Sequence, residues 1–179
     1  MDDLVRAALK KWPDVPACRG WLGLDARGDW YLRDERCQAA GAFPAVKGSR
    51  IEHEQLLGFI GRNYAADDTG AWFFQNGPQR VYVELEAAPW VWRVRQDDAG
   101  AAHVVSHTGR NVTVGSAWTD ERGRLFLAAD LGLGLVHTLD MLDAATVVES
   151  GTWPPQPLDF DALLACFGVV LSPAAQAQA

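Results

Sequence analysis

Apolar residues recur every three or four positions in three segments of the chain, a spacing that places them on one face of a helix. The first segment follows a candidate cap at Asp2 or Asp3 and stops before Pro13, and the second follows the capping-box pattern Ser49-x-x-Glu52. The third begins at Asp159, a residue type that favours helix starts. These signals predict helices near residues 3–12, 50–62 and 159–168.

Much of the remaining chain is divided by a short internal repeat. Asp-x-x-Gly followed, after one residue, by an apolar, an aromatic and a second apolar residue occurs at 25–28, 67–70 and 120–123, with a degenerate copy at 97–100. In a type I turn with a G1 bulge, the Asp binds its own turn backbone and the Gly takes a left-handed conformation. The repeat predicts four β-hairpins, with positive φ at Gly28, Gly70 and Gly123.

Three further segments are typical of strands. Residues 80–86 alternate in polarity, residues 89–95 follow a proline, and residues 131–137 predict a strand with close backbone approach at its glycines. Residues 140–149 fit either a helix or a strand. The predicted fold is α+β and β-rich: an antiparallel sheet, sandwich or partly open barrel of about four hairpins with two or three short helices. We expect one domain over residues 1–171 and a frayed tail over residues 172–179.

Composition and charge exclude several partners. The chain of 179 residues carries 16 basic and 23 acidic side chains, a formal charge of −7 that disfavours nucleic acid. The longest apolar run, residues 162–171, is about half of the ~20 residues that cross a bilayer. The start is acidic and lacks an apolar signal segment. We therefore expect a cytoplasmic protein that binds neither nucleic acid nor membrane.

The cysteines predict neither a disulfide framework nor a zinc site. Cys18, Cys37 and Cys166 are odd in number, widely separated and without CxxC spacing. We expect three reduced thiols, no bound metal and no cofactor.

A basic face is predicted on the hairpin at 97–100. The register places Arg95 opposite His103, with Arg93 and His107 on the same face. This positive field disfavours a divalent cation, whereas guanidinium geometry suits a carboxylate or phosphate. The four side chains are therefore a candidate site for a small anionic ligand. The alternative is that neighbouring carboxylates neutralise them.

Two sets of side chains are candidates for acid–base catalysis. Glu84 and Glu86 share a strand face, and paired carboxylates can divide acid and base roles when their environments differ. His137 with Asp140 is the other set, because histidine titrates near neutral pH. An exposed polar strand face and a structural histidine are the alternatives. No nucleophile elbow, P-loop or dinucleotide fingerprint accompanies either set.

Aromatic residues follow each of the three best turns. Tyr31, Phe73 and Phe126 occupy equivalent positions on the face opposite to their apolar neighbours. Either helices and a second sheet cover these rings, or they form an aromatic patch for a protein partner or a second copy of the chain.

Three segments carry a resemblance to a known family: GWLGLD at residues 20–25, WFFQNGPQRV at 72–81 and GLGLVH at 132–137. They resemble an uncharacterised bacterial family known only as a domain of unknown function. The resemblance implies a bacterial, cytoplasmic origin, and it supplies no activity and no functional residues.

The sequence favours binding over catalysis. The chain is rich in tryptophan and hairpins and lacks a recognisable catalytic constellation, so we predict a non-catalytic binding or interaction module. The alternative is a small hydrolase or transferase that uses His137 with Asp140, or Glu84 with Glu86.

Overall fold

The computed structural model describes residues 1–97 and 100–176, and its internal contacts divide the chain into two compact units. Unit 1 comprises Met1–Asp25, Asp29–Glu86 and Val170–Ala179, and unit 2 comprises Ala26–Gly28 and Ala87–Val169. Each unit carries one mixed β-sheet with short helices, so the predicted α+β, β-rich fold class is confirmed. The single domain predicted over residues 1–171 stays a prediction.

The helices and strands are short throughout the described residues. Up to the end of the first sheet they are α1 (Asp3–Lys11), β1 (Cys18–Leu24), β2 (Trp30–Leu32), α2 (Glu35–Ala40), β3 (Ser49–Arg50), α3 (Glu54–Arg62), β4 (Tyr64–Ala66), β5 (Trp72–Asn76) and β6 (Gln79–Leu85). They continue with β7 (Trp90–Gln96), β8 (Ala102–Ser106), β9 (Asn111–Val112), β10 (Val114–Thr119), β11 (Leu125–Ala129), β12 (Gly132–Val136), a 3-10 turn (Thr138–Asp140), α4 (Met141–Glu149), β13 (Pro155–Pro157), α5 (Phe160–Cys166) and α6 (Pro173–Gln176).

The sheet of unit 1 has the strand order β3-β2-β1-β6-β5-β4. Its hairpins pair antiparallel, and Leu24 lies opposite Trp30 in the first of them. The central pair β1–β6 is parallel, with Leu22 beside Val83 and both side chains buried. This parallel pair joins two hairpin groups that are distant in the sequence.

The sheet of unit 2 has the order β13-β10-β11-β12-β7-β8-β9. Here β12 pairs parallel with β7, and β13 pairs parallel with the outer strand β10. Trp90 and Trp92 of β7 are buried and stack with ring centroids 5.9 Å apart. Their indole N–H groups donate to the carbonyl oxygens of Leu131 and Leu127 at 2.7 and 2.8 Å. The two tryptophans thus fill this core while their indole N–H groups are hydrogen-bonded.

The two sheets repeat one topology. In unit 1, β1-β2-β3 and β4-β5-β6 are antiparallel ribbons whose first and last strands, β1 and β6, pair parallel. In unit 2, β7-β8-β9 and β10-β11-β12 do the same through β7 and β12. The Asp25 and Asp97 turns join the first two strands of their units, and the Asp67 and Asp120 turns join the fourth and fifth. The sequence repeat therefore marks equivalent turns.

The turn predictions are confirmed. Gly28, Gly70 and Gly123 have φ of 83°, 83° and 71°, and Gly100 has φ of 81°, although residues 98 and 99 of that turn lie outside the described residues. Asp120 shows the expected chemistry, since its Oδ1 accepts the N–H of Arg122 and of Arg124 at 3.0 and 2.8 Å.

A further turn of the same kind joins β8 to β9. Ser106 takes the place of the aspartate, and its Oγ accepts the N–H of Arg110 at 3.1 Å. Gly109 has φ of 83° and donates its N–H to the carbonyl of Ser106. This turn lies outside the Asp-x-x-Gly repeat because a serine stands at its first position.

The predicted helices near 3–12 and 159–168 are confirmed as α1 and α5. The second helix begins later than predicted, at Glu54, where the Nδ1 of His53 accepts the N–H of Leu56 at 3.3 Å. The predicted capping box at Ser49 is wrong, because Ser49 and Arg50 form β3 opposite β2. Strand pairing overrides the local helix signal at this point.

The structure also assigns segments that the sequence left open. The ambiguous residues 140–149 are mostly α4, and Pro173–Gln176 form α6, where the frayed tail was predicted; residues 177–179 lie outside the described residues. Over residues 1–97 and 100–176, no helix is both long and apolar enough to cross a membrane.

Candidate functional site

Glu84 and Glu86 bind different elements rather than a common substrate site. The carboxylate of Glu84 is buried and accepts the hydroxyl of Ser172 at 2.5 Å and the N–H of Ala174 at 3.1 Å. Glu86 pairs with the ammonium of Lys47 at 2.9 Å. One carboxylate therefore anchors α6, and the other binds the loop before β3.

His137 and Asp140 also hold structural contacts. The Nδ1 of His137 accepts the N–H of Leu139 at 3.1 Å and caps the 3-10 turn. The buried carboxylate of Asp140 accepts Nε of Arg93 at 2.5 Å, the N–H of Val94 at 3.1 Å, and Nη1 of Arg95.

These contacts decide the protonation of Asp140. Burial by itself raises the pKa of Asp140, but hydrogen bonds from Arg93, Arg95 and the Val94 N–H outweigh it and lower the pKa to about 2. A group that stays anionic and bound to two guanidiniums is a poor proton acceptor near neutral pH.

Three of the four residues predicted to form an anion site bind carboxylates of the protein itself. Arg93 and Arg95 both bind Asp140, and Nε2 of His103 lies 3.1 Å from Asp97. The predicted register, Arg95 opposite His103, is confirmed. The neighbouring carboxylates that meet these side chains are thus Asp140 and Asp97.

His107 lies in the Ser106 turn rather than on a strand face. Its ring packs on Trp90 with centroids 5.6 Å apart, and its Nδ1 accepts the N–H of Val91 at 3.3 Å. Burial lowers the pKa of His107 to about 3, so the imidazole is neutral at physiological pH. It adds no positive charge to the predicted face.

The aromatic positions are largely covered. Phe73 and Phe126 are buried, with exposures of 4% and 0%, and Tyr31 is half-buried. An aromatic patch for a partner does not include Phe73 or Phe126. A protein partner or a second copy of the chain stays a prediction.

A cavity of about 320 Å³ opens in unit 1 and combines charged and polar side chains. It is formed by β1, the β4–β5 turn, β6 and α6. Its lining includes Arg19, Asp67, Thr69, Tyr82, Pro173 and Gln176.

The strand order brings Arg19 and Tyr82 together. Arg19 lies on β1 and Tyr82 on the parallel neighbour β6, and the guanidinium stacks over the ring at 4.4 Å from its centroid. The hydroxyl of Tyr82 donates to Oδ2 of Asp67 at 2.7 Å. This part of the cavity wall therefore consists of a guanidinium stacked on a phenol whose hydroxyl binds a carboxylate.

Asp67 is fixed by its own turn. Its Oδ1 accepts the N–H and the hydroxyl of Thr69 at 2.9 and 2.7 Å and the N–H of Ala71 at 3.2 Å. Burial raises the pKa of Asp67, but the hydrogen bonds from Thr69 and Tyr82 outweigh it and lower the pKa below its ordinary value. Burial and Asp67 raise the pKa of Tyr82, against a smaller effect of Arg80.

The remaining wall is α6, which Glu84 and the backbone hold in place. The N–H of Leu85 donates to Leu171 at 2.8 Å, and the N–H of Val170 donates to Gly70 at 3.1 Å. With the two hydrogen bonds to Glu84, these contacts position Pro173 and Gln176 at the cavity. Glu84, a predicted catalytic candidate, is thus a positioning residue for this wall.

A second cavity, of about 430 Å³, lies in unit 2 and has a different character. Its lining includes the apolar side chains of Val104, Val112, Val114, Val147 and Trp153. The lining found among the described residues includes no ionisable side chain. It offers apolar contact but little to orient a ligand.

Metal-ligating residues are dispersed. Within the described ranges, no group of three or more His, Cys, Asp or Glu side chains is placed to hold a metal ion. Cys18, Cys37 and Cys166 are free thiols, and Cys166 is exposed.

Comparison with known proteins identifies the family but no activity. Residues 1–174 match the model of a family described as a protein of unknown function (DUF2946). The chain belongs to this family. The resemblance seen in the sequence is thereby confirmed, and membership in the DUF2946 family adds no site residue. A search of the curated proteins found no match.

Two solved structures are similar in fold, and both are described as DUF1285 family proteins. The one from Silicibacter pomeroyi DSS-3 is 11% identical, with 80% of this chain and 83% of that chain covered and a TM-score of 0.50. The one from Shewanella baltica OS155 is 15% identical, with 70% and 90% covered and a TM-score of 0.46. At 11% identity, the similarity to the Silicibacter pomeroyi structure concerns the fold alone.

Proposed function

We propose that this DUF2946 family member is a non-catalytic binding module whose small ligand occupies the Arg19 cavity of unit 1. The observation that carries the proposal is the distribution of hydrogen-bonding groups. The predicted catalytic side chains hold structural partners, whereas the cavity presents a guanidinium and an amide, those of Arg19 and Gln176, at its surface.

Binding is favoured over turnover because catalysis near neutral pH needs a group that exchanges a proton there. Asp140, with a pKa of about 2, is ionised and bound to two arginines. Glu84 is buried against α6. The hydrolase or transferase alternative would require these groups to leave their partners.

The experiment is ligand retention, measured by native mass spectrometry of protein purified without a stripping step. We expect a bound mass that is lost in Gln176→Trp, because the indole fills the cavity mouth. Ala175→Trp is the matched control, since residue 175 is exposed on the same short helix but does not line the cavity. Loss of the bound mass in both variants, or in neither, would contradict this assignment.

The same preparation separates a binding module from an enzyme. We expect the released ligand to be recovered chemically unchanged after incubation with fresh protein. Conversion of the ligand that disappears in Glu84→Gln or His137→Gln would establish the hydrolase or transferase alternative instead.

The wider expectations belong to the same proposal. The family resemblance and the charge of −7 support a bacterial cytoplasmic protein that binds neither nucleic acid nor membrane. Fractionation of expressing cells tests the location, and size-exclusion chromatography tests for a second copy of the chain.

A further inference from the structure

The acceptor positions of the cavity carboxylate are largely occupied. An ionised carboxylate offers about four lone-pair positions, about two on each oxygen. The Oδ1 of Asp67 accepts the N–H and hydroxyl of Thr69 and the N–H of Ala71, and its Oδ2 accepts the hydroxyl of Tyr82. The carboxylate that lines the cavity is therefore held by its own turn and by Tyr82.

The donor capacity is not used in the same way. Arg19 stacks on Tyr82, and Arg80 stacks on Phe73 at 4.7 Å from its centroid. Phe73 and Tyr82 are cross-strand partners with centroids 5.9 Å apart, so two guanidiniums flank one aromatic pair. The stacking leaves the N–H edge of Arg19 available to a planar acceptor, whereas Arg80 also interacts with the hydroxyl of Tyr82.

Both arginines lack a carboxylate partner, in contrast to most of the others. In the part of the chain that the structure describes, neither Arg19 nor Arg80 forms a salt bridge. Seven other arginines on strands, helices and turns do pair with Asp or Glu within 3.6 Å: Arg6, Arg50, Arg62, Arg93, Arg95, Arg122 and Arg124. These two guanidiniums on one aromatic pair, neither of them in a salt bridge, bring positive charge to this part of a protein of charge −7.

We propose that the cavity binds a small anion that presents a carboxylate or phosphate to Arg19, with Arg80 adding charge at its side. This inference rests on the proposed function and names its ligand class. The volume of about 320 Å³ suits a small molecule. The ligand's oxygens accept from Arg19, while the Gln176 amide meets a polar group on the rest of the molecule.

The test measures binding of defined probes by isothermal titration calorimetry and by the NMR shift of the Arg19 Nε–H. The probes are phenyl phosphate, benzoate and benzyl alcohol, which share a ring and differ in charge. We expect binding of one or both anions and none of the alcohol, with affinity falling as salt rises. Phenyl phosphate against benzoate decides which acceptor the site prefers.

Arg19→Gln is expected to weaken anion binding by about tenfold or more, since it removes a charge-assisted hydrogen bond. Arg80→Gln has a smaller effect in the same direction, and Arg19→Lys restores part of the affinity by keeping the charge without the fork. Arg36→Gln is the matched control: this exposed arginine of α2 lies outside the cavity, and the same charge change leaves affinity within about twofold.

Three results overturn the proposal. The first is that the wild-type protein binds none of the anionic probes, and the second is that Arg19→Gln and Arg36→Gln lose the same amount of anion affinity. The third is that the protein binds only phosphatidylcholine vesicles that contain phosphatidylglycerol, which would assign the phosphate to a lipid. A neutral retained ligand that Gln176→Trp displaces would refute the anion assignment and leave the proposed function intact. If the protein binds neither a retained ligand nor any of the added probes, both the anion assignment and the proposed function are refuted.

Discussion

Asp140 concentrates several interactions of unit 2 on one buried carboxylate. It binds Arg93, Arg95 and the backbone of β7, and it begins the turn into α4. We expect Asp140→Asn to lower the free energy of unfolding by about 2 kcal/mol at pH 7, since two guanidiniums lose their counter-charge but keep partial access to water. Urea denaturation measures it. Asp143→Asn is the control: that side chain is 41% exposed and 4.0 Å from Arg95, and a cost near that of Asp140→Asn would refute the argument.

The same carboxylate predicts a pH dependence. Its pKa is about 2 in the folded protein and about 3.9 in an unfolded chain, so the unfolded state binds the proton more readily. The contribution of Asp140 is therefore complete above about pH 4 and is lost as the pH falls towards 2. The stability difference between wild type and Asp140→Asn should shrink over that window in urea titrations. A constant difference would mean that the ionised form is not what stabilises the fold.

Gly123 tests the conformational basis of the turn repeat. Its φ is +71°, and a Cβ built there would meet no atom within 4 Å, so a substitution costs only backbone strain. We expect Gly123→Ala to lower the free energy of unfolding by about 1–2 kcal/mol. Gly115→Ala is the control, because Gly115 has no positive φ and its Cβ would lie 3.7 Å from the nearest atom. Equal costs in the two variants would remove the left-handed requirement.

At the scale of the element, β12 shows why a strand contains a glycine at its centre. A Cβ on Gly134 would lie 2.4 Å from the indole of Trp92, which is held by its hydrogen bond to Leu127 and by stacking on Trp90. We expect Gly134→Ala to cost about 2–3 kcal/mol through overpacking and to change the near-ultraviolet circular dichroism of the tryptophans. A variant with unchanged stability and an unchanged spectrum would refute the overpacking at Gly134.

Sequence reasoning succeeded for elements whose determinants are local. The hairpins at 25–28, 67–70 and 120–123 follow from four-residue turn chemistry, and the close approach at Gly134 follows from glycine within a strand. The prediction at Ser49 failed because a two-residue pairing with β2 decides the conformation there. The parallel pairs β1–β6 and β7–β12 have no local signal, since each joins segments more than 30 residues apart.

The candidate sites were harder to predict for the same reason. The turn aspartates bind their turns with one oxygen, as predicted, but for two of them the other oxygen has a partner from another element: Lys47 for Asp25 and Tyr82 for Asp67. Arg19 carries no motif, and only the β1–β6 pairing places it on Tyr82. The face of Arg93 and Arg95 was correctly registered, yet Asp140, 45 residues further on, supplies their counter-charge.

For the whole molecule, the common topology of the two units explains the irregular spacing of the repeat. Asp25 and Asp67 are 42 positions apart, whereas Asp97 and Asp120 are 23 apart. The difference is accounted for by α2, which lies between β2 and β3, by α3, which lies between the two ribbons of unit 1, and by the loops around them. The equivalent turns therefore join the same strands in each unit but are not evenly spaced along the chain.

The C-terminal segment completes unit 1, which gives a prediction about truncation. A chain ending at Val169 loses the contacts of Leu171, Ser172 and α6, so we expect faster hydrogen exchange at the amides of Phe73 and Tyr82 and loss of ligand retention. A chain ending at Gln176 keeps those contacts and should match the full chain. Unchanged exchange in the shorter chain would show that the segment only covers the sheet.

Because unit 1 combines residues before position 87 with residues after position 169, its completion also depends on the timing of synthesis. The first 86 residues of the chain, which hold most of unit 1, leave the ribosome long before the segment that closes the unit, with all of residues 87–169 in between. At about 5–20 residues per second, synthesis of that stretch takes roughly 4–17 s. Throughout this interval the Glu84 carboxylate has no Ser172 to bind, and the apolar face around Phe73 and Ala71 has no Val170 beside it. The nascent chain therefore passes through a period in which unit 1 offers its unfinished sheet to chaperones.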